Sequence, residues 1–445
     1  MTKKKTIGEW LFENKVMLIF AFLSIGGTMA SGQSVAFVVN ELMTRIARNA
    51  FTILSLLIPV LAGMGLNFGI VIGAMATQIA LFLTTHWRIA GITGILATAA
   101  LATPLAVFFG FLVGKLFNKM KGNEMIGGLV LGYFADGLYQ LLFLFIFGGV
   151  IAINDPKLMI ATGIGVKNTI DLTETTKYAL DTVPLLSVIE IAFYVVIAAT
   201  ILSALFKLAQ KQTVDWKRTG GILIGAVVVY ALTFIPAVER FLAQDRMLLL
   251  NAVEIACAAT VLWQLWKIVY AKSIRKQAGF DVKRPLVYIA LAVLVYASTY
   301  LQAVYDVLVY TRLPMTTYLC ILALCCMNSA LLKTRLGQNM RAVGQSRAVA
   351  NAAGINVDRT RIIAMIFSTV LASWGQLIYL QNIGTFSTYG AHTQVGQYAI
   401  ASLLVGGASV QKATNKQAIL GVILFHTLFI VAPLAGKELL GNAMI

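Results

Sequence analysis

Apolar runs of roughly 20 residues recur from one end of this chain to the other, and such a run matches the hydrocarbon core of a bilayer, about 30 Å across. Backbone in lipid must satisfy its own hydrogen bonds, so runs of this length fold as helices. The chain has 445 residues, 59% of them hydrophobic and only 12% charged, and its mean hydropathy is +0.83. Hydropathy marks candidate spans at 16–32, 41–62, 66–85, 89–116, 125–153, 185–206, 220–236, 247–266, 286–308, 315–332, 362–380, 395–408 and 418–431. The expected fold is therefore all-α, a polytopic transmembrane helix bundle of about 13 spans with interrupted helices near the midplane. No convincing cleavage site follows the first run, which reads as a span and not a leader.

The formal net charge is +17. Such a balance can mark nucleic-acid binding, but here the charges lie in short loops between apolar runs and not on one soluble face. If Lys3–Lys5 lie in the cytoplasm, alternation puts 115–121, 207–218, 267–284, 333–361 and 412–416 there too. With Lys15, these segments hold 25 of the 35 Lys and Arg residues. That is the bias of the positive-inside rule, so a cytoplasmic N-terminus is expected. The four cysteines, Cys257, Cys320, Cys325 and Cys326, all fall inside apolar runs. No spacing among them and the three histidines resembles a metal site, and they read as packing residues.

The longest inside loop, 333–361, carries six Lys/Arg against one acid, Asp358. Its Ala-rich centre, from Arg347 to Ala353, favours a short helix, and Gly354 stands where a C-cap glycine would close it. Two readings follow: a basic surface helix resting on anionic headgroups, or a docking element for a cytoplasmic partner.

Two apolar segments are broken by glycine and neutral polar residues, "GMGLNFGIVIGAMATQ" from Gly63 and "GTFSTYGAHTQVGQY" from Gly384. Interrupted helices are where carriers hold solute near the midplane. Amides, hydroxyls and aromatics without charge suit a neutral polar solute, and Asn67, Gln78, Tyr389, Gln394 and Gln397 are the expected contacts. The plainer reading is that spacings such as Gly69-x-x-x-Gly73 only let helices approach closely. His392 reads as a structural or exposed histidine, and His86 and His426 have no partner by spacing. Four acids within apolar runs, Asp136, Glu190, Glu254 and Asp306, are costly in lipid and flag function. Interhelical hydrogen bonding, or pairing with Arg45 or Arg48, is their plain reading, favoured for Asp136. "GFLVGKL" at Gly110 lacks the spacing and the hydroxyl of a phosphate loop. With no nucleophile–base constellation either, neither an ATPase site nor an enzyme is expected.

The stretch Thr334-Arg-Leu-Gly337, Ala342-Val-Gly344, Ala348, then Gly354-Ile355-Asn356-Val357, resembles the cytoplasmic loop of ABC importer permeases serving ribose-type sugars, nucleosides and branched-chain amino acids. "AIASLLVGGASV" from Ala399 resembles a later segment of that family, and "GNEMIGGLVLGYFADGLY" from Gly122 and "GLNFGI" from Gly65 resemble earlier ones. The resemblance covers roughly 35–153 and 315–440, with no match between 156 and 313. It implies a first transmembrane half (1–153), an insertion with an external polar segment and about four spans (154–314), and a second half (315–445) bearing the coupling loop 333–361. The family usually has one more span at the C-terminus than is read here, so either a further span follows or this lineage dispenses with it.

The resemblance further implies that Gly337, Ala342, Gly344, Arg347, Ala348, Ala352, Gly354 and Ile355 couple the chain to an ABC ATPase subunit, which carries the ATP while this chain binds no cofactor. An extracytoplasmic solute-binding protein and a second permease copy or paralogue would complete an assembly in a bacterial plasma membrane. Relatives often carry Glu where Arg347 stands and an acid at Gln397-Tyr398, so charge at the docking and solute surfaces is expected to differ here. An ion-coupled secondary transporter is the alternative. It would more often place carboxylates at the interrupted segments, and neither segment contains one.

Overall fold

The computed structural model describes residues 7–120, 122–161, 163–210, 215–271 and 281–441. Lys3–Lys5, Lys121, residues 211–214 and 272–280 of the basic loops 207–218 and 267–284, and Ile445 lie outside the described residues. Among those described, seven helices are long and apolar enough to cross a membrane, or up to ten if each of three bent pairs counts as one span. The chain is thus a multi-pass membrane protein, but the thirteen spans read from hydropathy are not matched by thirteen helices of spanning length. Lys15–Ala30 and Ile70–His86 are shorter apolar helices. Ala391–Val405 has 15 residues, which at about 1.5 Å per residue reach roughly 22 Å, short of an approximately 30 Å core. Hydropathy measures the length of an apolar run, not where a glycine-rich break stops the helix inside it.

The chain divides into two compact units, one of Met1–Gln33, Thr44–Asp181 and Thr317–Ile445, the other of Ser34–Met43 and Thr182–Thr316. Residues 154–181, expected within the insertion, fall with the first unit. In that unit the helix Val357–Ile383 is central. Asn356 caps its start, and Gly384, left-handed at φ 75°, closes its end. It lies against Gly91–Lys119 and Ile70–His86 at backbone distance: a Cβ built on Gly110 or Gly114 would lie 2.8 Å from Ile366 Cα or 2.9 Å from Ile362 Cα. Gly73 faces the backbone of Thr369 in the same way, the close packing that small residues permit in membranes. Hydroxyls then tie the faces together, Thr77 Oγ1 donating to the Ser373 carbonyl at 2.6 Å.

The unit has two poles. At one, Asn118 Nδ2 donates to the Asp358 carbonyl at 3.0 Å, and Gly63 meets Gly344. At the other, Thr169–Asp171 pairs antiparallel with Thr385–Ser387, Ile170 opposite Phe386. There Gly91 N donates to the Thr175 carbonyl at 2.7 Å, and Phe82, Phe143, Phe147 and Phe386 form an aromatic core. The basic segments around 118 and 358 therefore share one pole, and the polar segment 150–181 occupies the other.

In the second unit Phe193 stacks on Tyr230 at 4.3 Å, joining the helices Leu185–Ala209 and Trp216–Leu232. The helix Leu249–Val269 packs with Lys283–Ser298, and Arg246–Leu248 pairs with Arg312–Pro314. No residue of Leu185–Ala209 is buried, as for a helix with much of its surface toward lipid. Asp306, expected to bond between helices, accepts from Gln302 on its own helix at 2.8 Å. Glu254 lines a shallow groove with Cys257 and Tyr296.

Candidate functional site

The stretch 333–361 is not an open loop. Three side chains spaced 12 and 10 residues apart each start a helix by accepting a backbone N–H three residues on: Thr334 from Gly337, Ser346 from Val349, and Asn356 from Arg359. They begin Arg335–Gln345, Arg347–Ala352 and Val357–Ile383. The first is bent by 74° from the preceding helix Met315–Leu331. In the six-residue helix Ala348, Asn351 and Ala352 are exposed and Val349 is 68% exposed, while Ala350 is buried. Gly354 follows at φ +77°, a conformation that a side chain disfavours. The helix edges an open groove of about 670 Å³ bordered by Arg347, Ala348, Asn351, Ile355 and Arg361. Gly337 and Gly344 serve internal packing: a Cβ on either would strike a backbone carbonyl, of Leu331 and Leu61 respectively. Ala342 is half-buried beside them.

Arg347 turns inward. Its Nη2 donates to Glu124 Oε1 at 2.5 Å and lies 3.4 Å from the Gly63 carbonyl. Arg361, only 1% exposed, donates from Nη2 to the same Glu124 oxygen at 2.6 Å. One carboxylate thus joins the short helix Arg347–Ala352, the start of the Glu124–Leu141 helix and the long helix Val357–Ile383. A buried acid between two guanidiniums stays charged only because it is paired. Sequence reading passed over Glu124 because it stands at the edge of an apolar run. The available signal was a lone acid opening a hydrophobic helix at a basic pole.

The two broken segments form the short helices Ile70–His86 and Ala391–Val405, which pack together. Gly396 makes the approach possible, since a Cβ there would lie 2.7 Å from a Val71 methyl. Between them His392 is fully buried. Its Nδ1 is 2.7 Å from Gln78 Oε1 and its Nε2 is 2.7 Å from Asp136 Oδ1. Gln140 Nε2 donates to the other Asp136 oxygen at 2.9 Å, and the Tyr139 ring lies 4.7 Å from the imidazole. Asp136 also borders a narrow cleft with Phe68, Tyr133, Thr393 and Gln397.

Several expectations are corrected here. Of the two readings of His392, structural or exposed, the buried and hydrogen-bonded residue fits the structural one, and Asp136 pairs with it rather than with Arg45 or Arg48. Arg48 Nε instead donates to Asn382 Oδ1 at 2.5 Å. A carboxylate does stand at the interrupted helices, supplied from Glu124–Leu141, which sequence distance concealed. The five residues expected to contact solute do not converge on one surface. Gln397 lines the cleft and Gln78 lies behind it through His392. Gln394 faces Tyr398, whose hydroxyl is 3.0 Å away. Tyr389 donates to the Val166 carbonyl at 2.8 Å. Asn67 is fully buried, with neither end of its amide bonded among the described residues.

At the opposite pole, buried Asp181 accepts from Thr317 Oγ1 at 2.5 Å, Gln381 Nε2 at 2.9 Å and Asn382 Nδ2 at 2.5 Å. Asp171 nearby accepts from the hydroxyl and then the N–H of Thr173, which holds its carboxyl below the usual range. Among the described residues no group of three or more His, Cys, Asp or Glu is placed to hold a metal.

The family described as branched-chain amino acid transport system / permease component matches residues 219–443. The match begins inside the stretch 154–314, where the sequence alone offered no resemblance. A probable ABC transporter permease protein, y4mJ of Sinorhizobium fredii (strain NBRC 101917 / NGR234), is 35% identical over 108 residues, 24% of this chain and 32% of its own. The fructose import permease protein FruG of Bifidobacterium longum (strain NCC 2705) is 35% identical over 78 residues, 17% of this chain and 22% of its own. The nucleoside ABC transporter permease protein NupB of Lactococcus lactis subsp. cremoris (strain MG1363) is 36% identical over 93 residues, 20% of this chain and 25% of its own. The chain thus matches between about a fifth and a third of the length of these relatives. No solved structure matches.

Proposed function

The chain belongs to the family of permease components of branched-chain amino acid transport systems, and from that membership we propose that it is the transmembrane permease subunit of an ABC importer. It passes a small neutral polar solute, of sugar or nucleoside type, across a bacterial plasma membrane by alternating access. The fructose and nucleoside in the names of two relatives support that solute class. ATP is bound and split by separate ATPase subunits. An extracytoplasmic binding protein delivers solute, and a second permease copy or paralogue completes the path. The chain itself is a transport component and not a catalytic enzyme.

In this reading the basic pole and the N-terminus face the cytoplasm. The chain crosses thirteen times if the short helices count as partial crossings. Residues 1–153 and 315–445 are the two halves, with 154–314 interposed in sequence. The observation that carries the proposal is the contact of Gly344 and Arg347 with Gly63, whose carbonyl is 3.4 Å from the Arg347 guanidinium. It joins the exposed docking helix directly to the break that opens the first short helix. Ala348 and Ala352 face the ATPase, and solute passes along the cleft that Gln397 lines, with Gln78, Asn67, Gln394 and Tyr389 contributing as the helices move. Ala348→Trp tests this reading: the variant is expected to insert normally but to lose co-purifying ATPase or solute-stimulated ATP hydrolysis. Full assembly with full stimulation would reduce the helix to an anchor on the lipid surface.

One observation favours the secondary-transporter alternative, namely the Asp136–His392 pair at the interrupted helices, since intramembrane carboxylates and histidines form proton relays. Uptake in vesicles that collapses with a protonophore while ATP is held constant would select it.

A further inference from the structure

We propose that the helix Glu124–Leu141 is the rod that carries movement of the docking helix into the solute cleft, with Glu124 and Asp136 as positioning residues at its two working ends. The inference rests on the permease reading above. At the basic pole Glu124 is the first residue of the helix and holds Arg347 of the docking helix at 2.5 Å. Asp136 stands twelve residues on, about 18 Å away at 1.5 Å per residue, with unbroken α-helix between them. There it holds His392 at 2.7 Å, and the other imidazole nitrogen reaches Gln78 at 2.7 Å. One rigid element therefore links the docking helix to both short helices that border the cleft.

The clamp at Glu124 is asymmetric. The Arg361 side chain is 1% exposed and belongs to the central helix, whereas that of Arg347 is 33% exposed and belongs to the surface helix. Both grip the same carboxylate oxygen. Arg361 acts as the fulcrum and Arg347 as the moving arm. A shift of Arg347 tilts the first turn of the rod about Arg361 and displaces Asp136, and His392 with it. The direct contact of Gly344 with Gly63 acts on the first short helix alone, so it cannot replace this route to the second. Gln140, four residues after Asp136, braces the carboxylate against rotating away from His392.

The test uses the complete complex in proteoliposomes, comparing ATP hydrolysis with uptake of radiolabelled adenosine and fructose. Glu124→Gln removes the clamp. Arg347→Gln cuts only the tie to the docking helix and leaves the Glu124–Arg361 pair to maintain the fold. For both variants, solute moved per ATP hydrolysed should fall about tenfold, within the range of an ordinary coupling free energy. A merely structural defect would lower both rates together and leave their ratio intact. The double variant should be no worse than either single one, because both cut the same link. An unchanged ratio in Arg347→Gln, or losses that multiply in the double variant, would overturn the rod while leaving the permease reading in place. Lack of ATP-driven uptake by the unaltered complex would overturn both.

Discussion

His392 shows how a residue's role depends on neighbours far away in sequence. Nδ1 meets one end of the Gln78 amide and Nε2 meets the Asp136 carboxylate, each at 2.7 Å. Which ring nitrogen donates depends on the tautomer and on which way the Gln78 amide is turned. Either way a side chain without polar atoms strands a buried amide and a carboxylate. His392→Leu should therefore lower stability by about 1–3 kcal/mol. His392→Gln, which can still bond at one end, should cost clearly less when thermal unfolding is followed in detergent. Equal losses in the two variants would contradict the importance of these two bonds. The polar character of this region was legible in the residues Gln78, His392 and Gln397. Their partner was not, because Asp136 comes from a helix 256 residues away from His392.

At the scale of elements, the helical content of 333–361 was largely legible because its signals are local. The Ala-rich centre forms the helix Arg347–Ala352, and Gly354 takes the left-handed conformation that ends it. The caps Thr334, Ser346 and Asn356 are in plain view as well, and they start three helices where the sequence reading expects one short helix within a loop. The packing that buries Arg361 inside the following helix has no local signature. Gly344 is a related case. It is helical, and its glycine is required not by backbone freedom but by the approach of Leu61 and Gly63. Gly344→Val should cost about 1–3 kcal/mol through overpacking and loosen the docking helix from the break at Gly63. A thermal midpoint and a proteolysis rate equal to those of the unaltered chain would remove that contact from the account. Gly354→Val should instead disturb only the end of the short helix, and ATPase association should fall with the membrane level unchanged.

For the whole molecule, charge alternation foresaw which segments share a pole within the first unit, since sidedness depends on counting crossings rather than on their lengths. The count of spanning helices was less legible, because the short helices Ile70–His86 and Ala391–Val405 end at breaks that a hydropathy window smooths over. With the native cysteines replaced, a single cysteine at Gln345 should react only with reagent on the cytoplasmic side, and one at Glu174 only from outside. Outside labelling of Gln345 would invert the assignment of the poles. The most direct measurement of the central claim is solute uptake by the reconstituted permease–ATPase complex, with the binding protein supplying radiolabelled adenosine or fructose. The account predicts uptake that requires ATP hydrolysis, survives a protonophore and stops when Ala348→Trp disrupts docking. Uptake without ATP, driven by an imposed proton or sodium gradient through this chain alone, would contradict it.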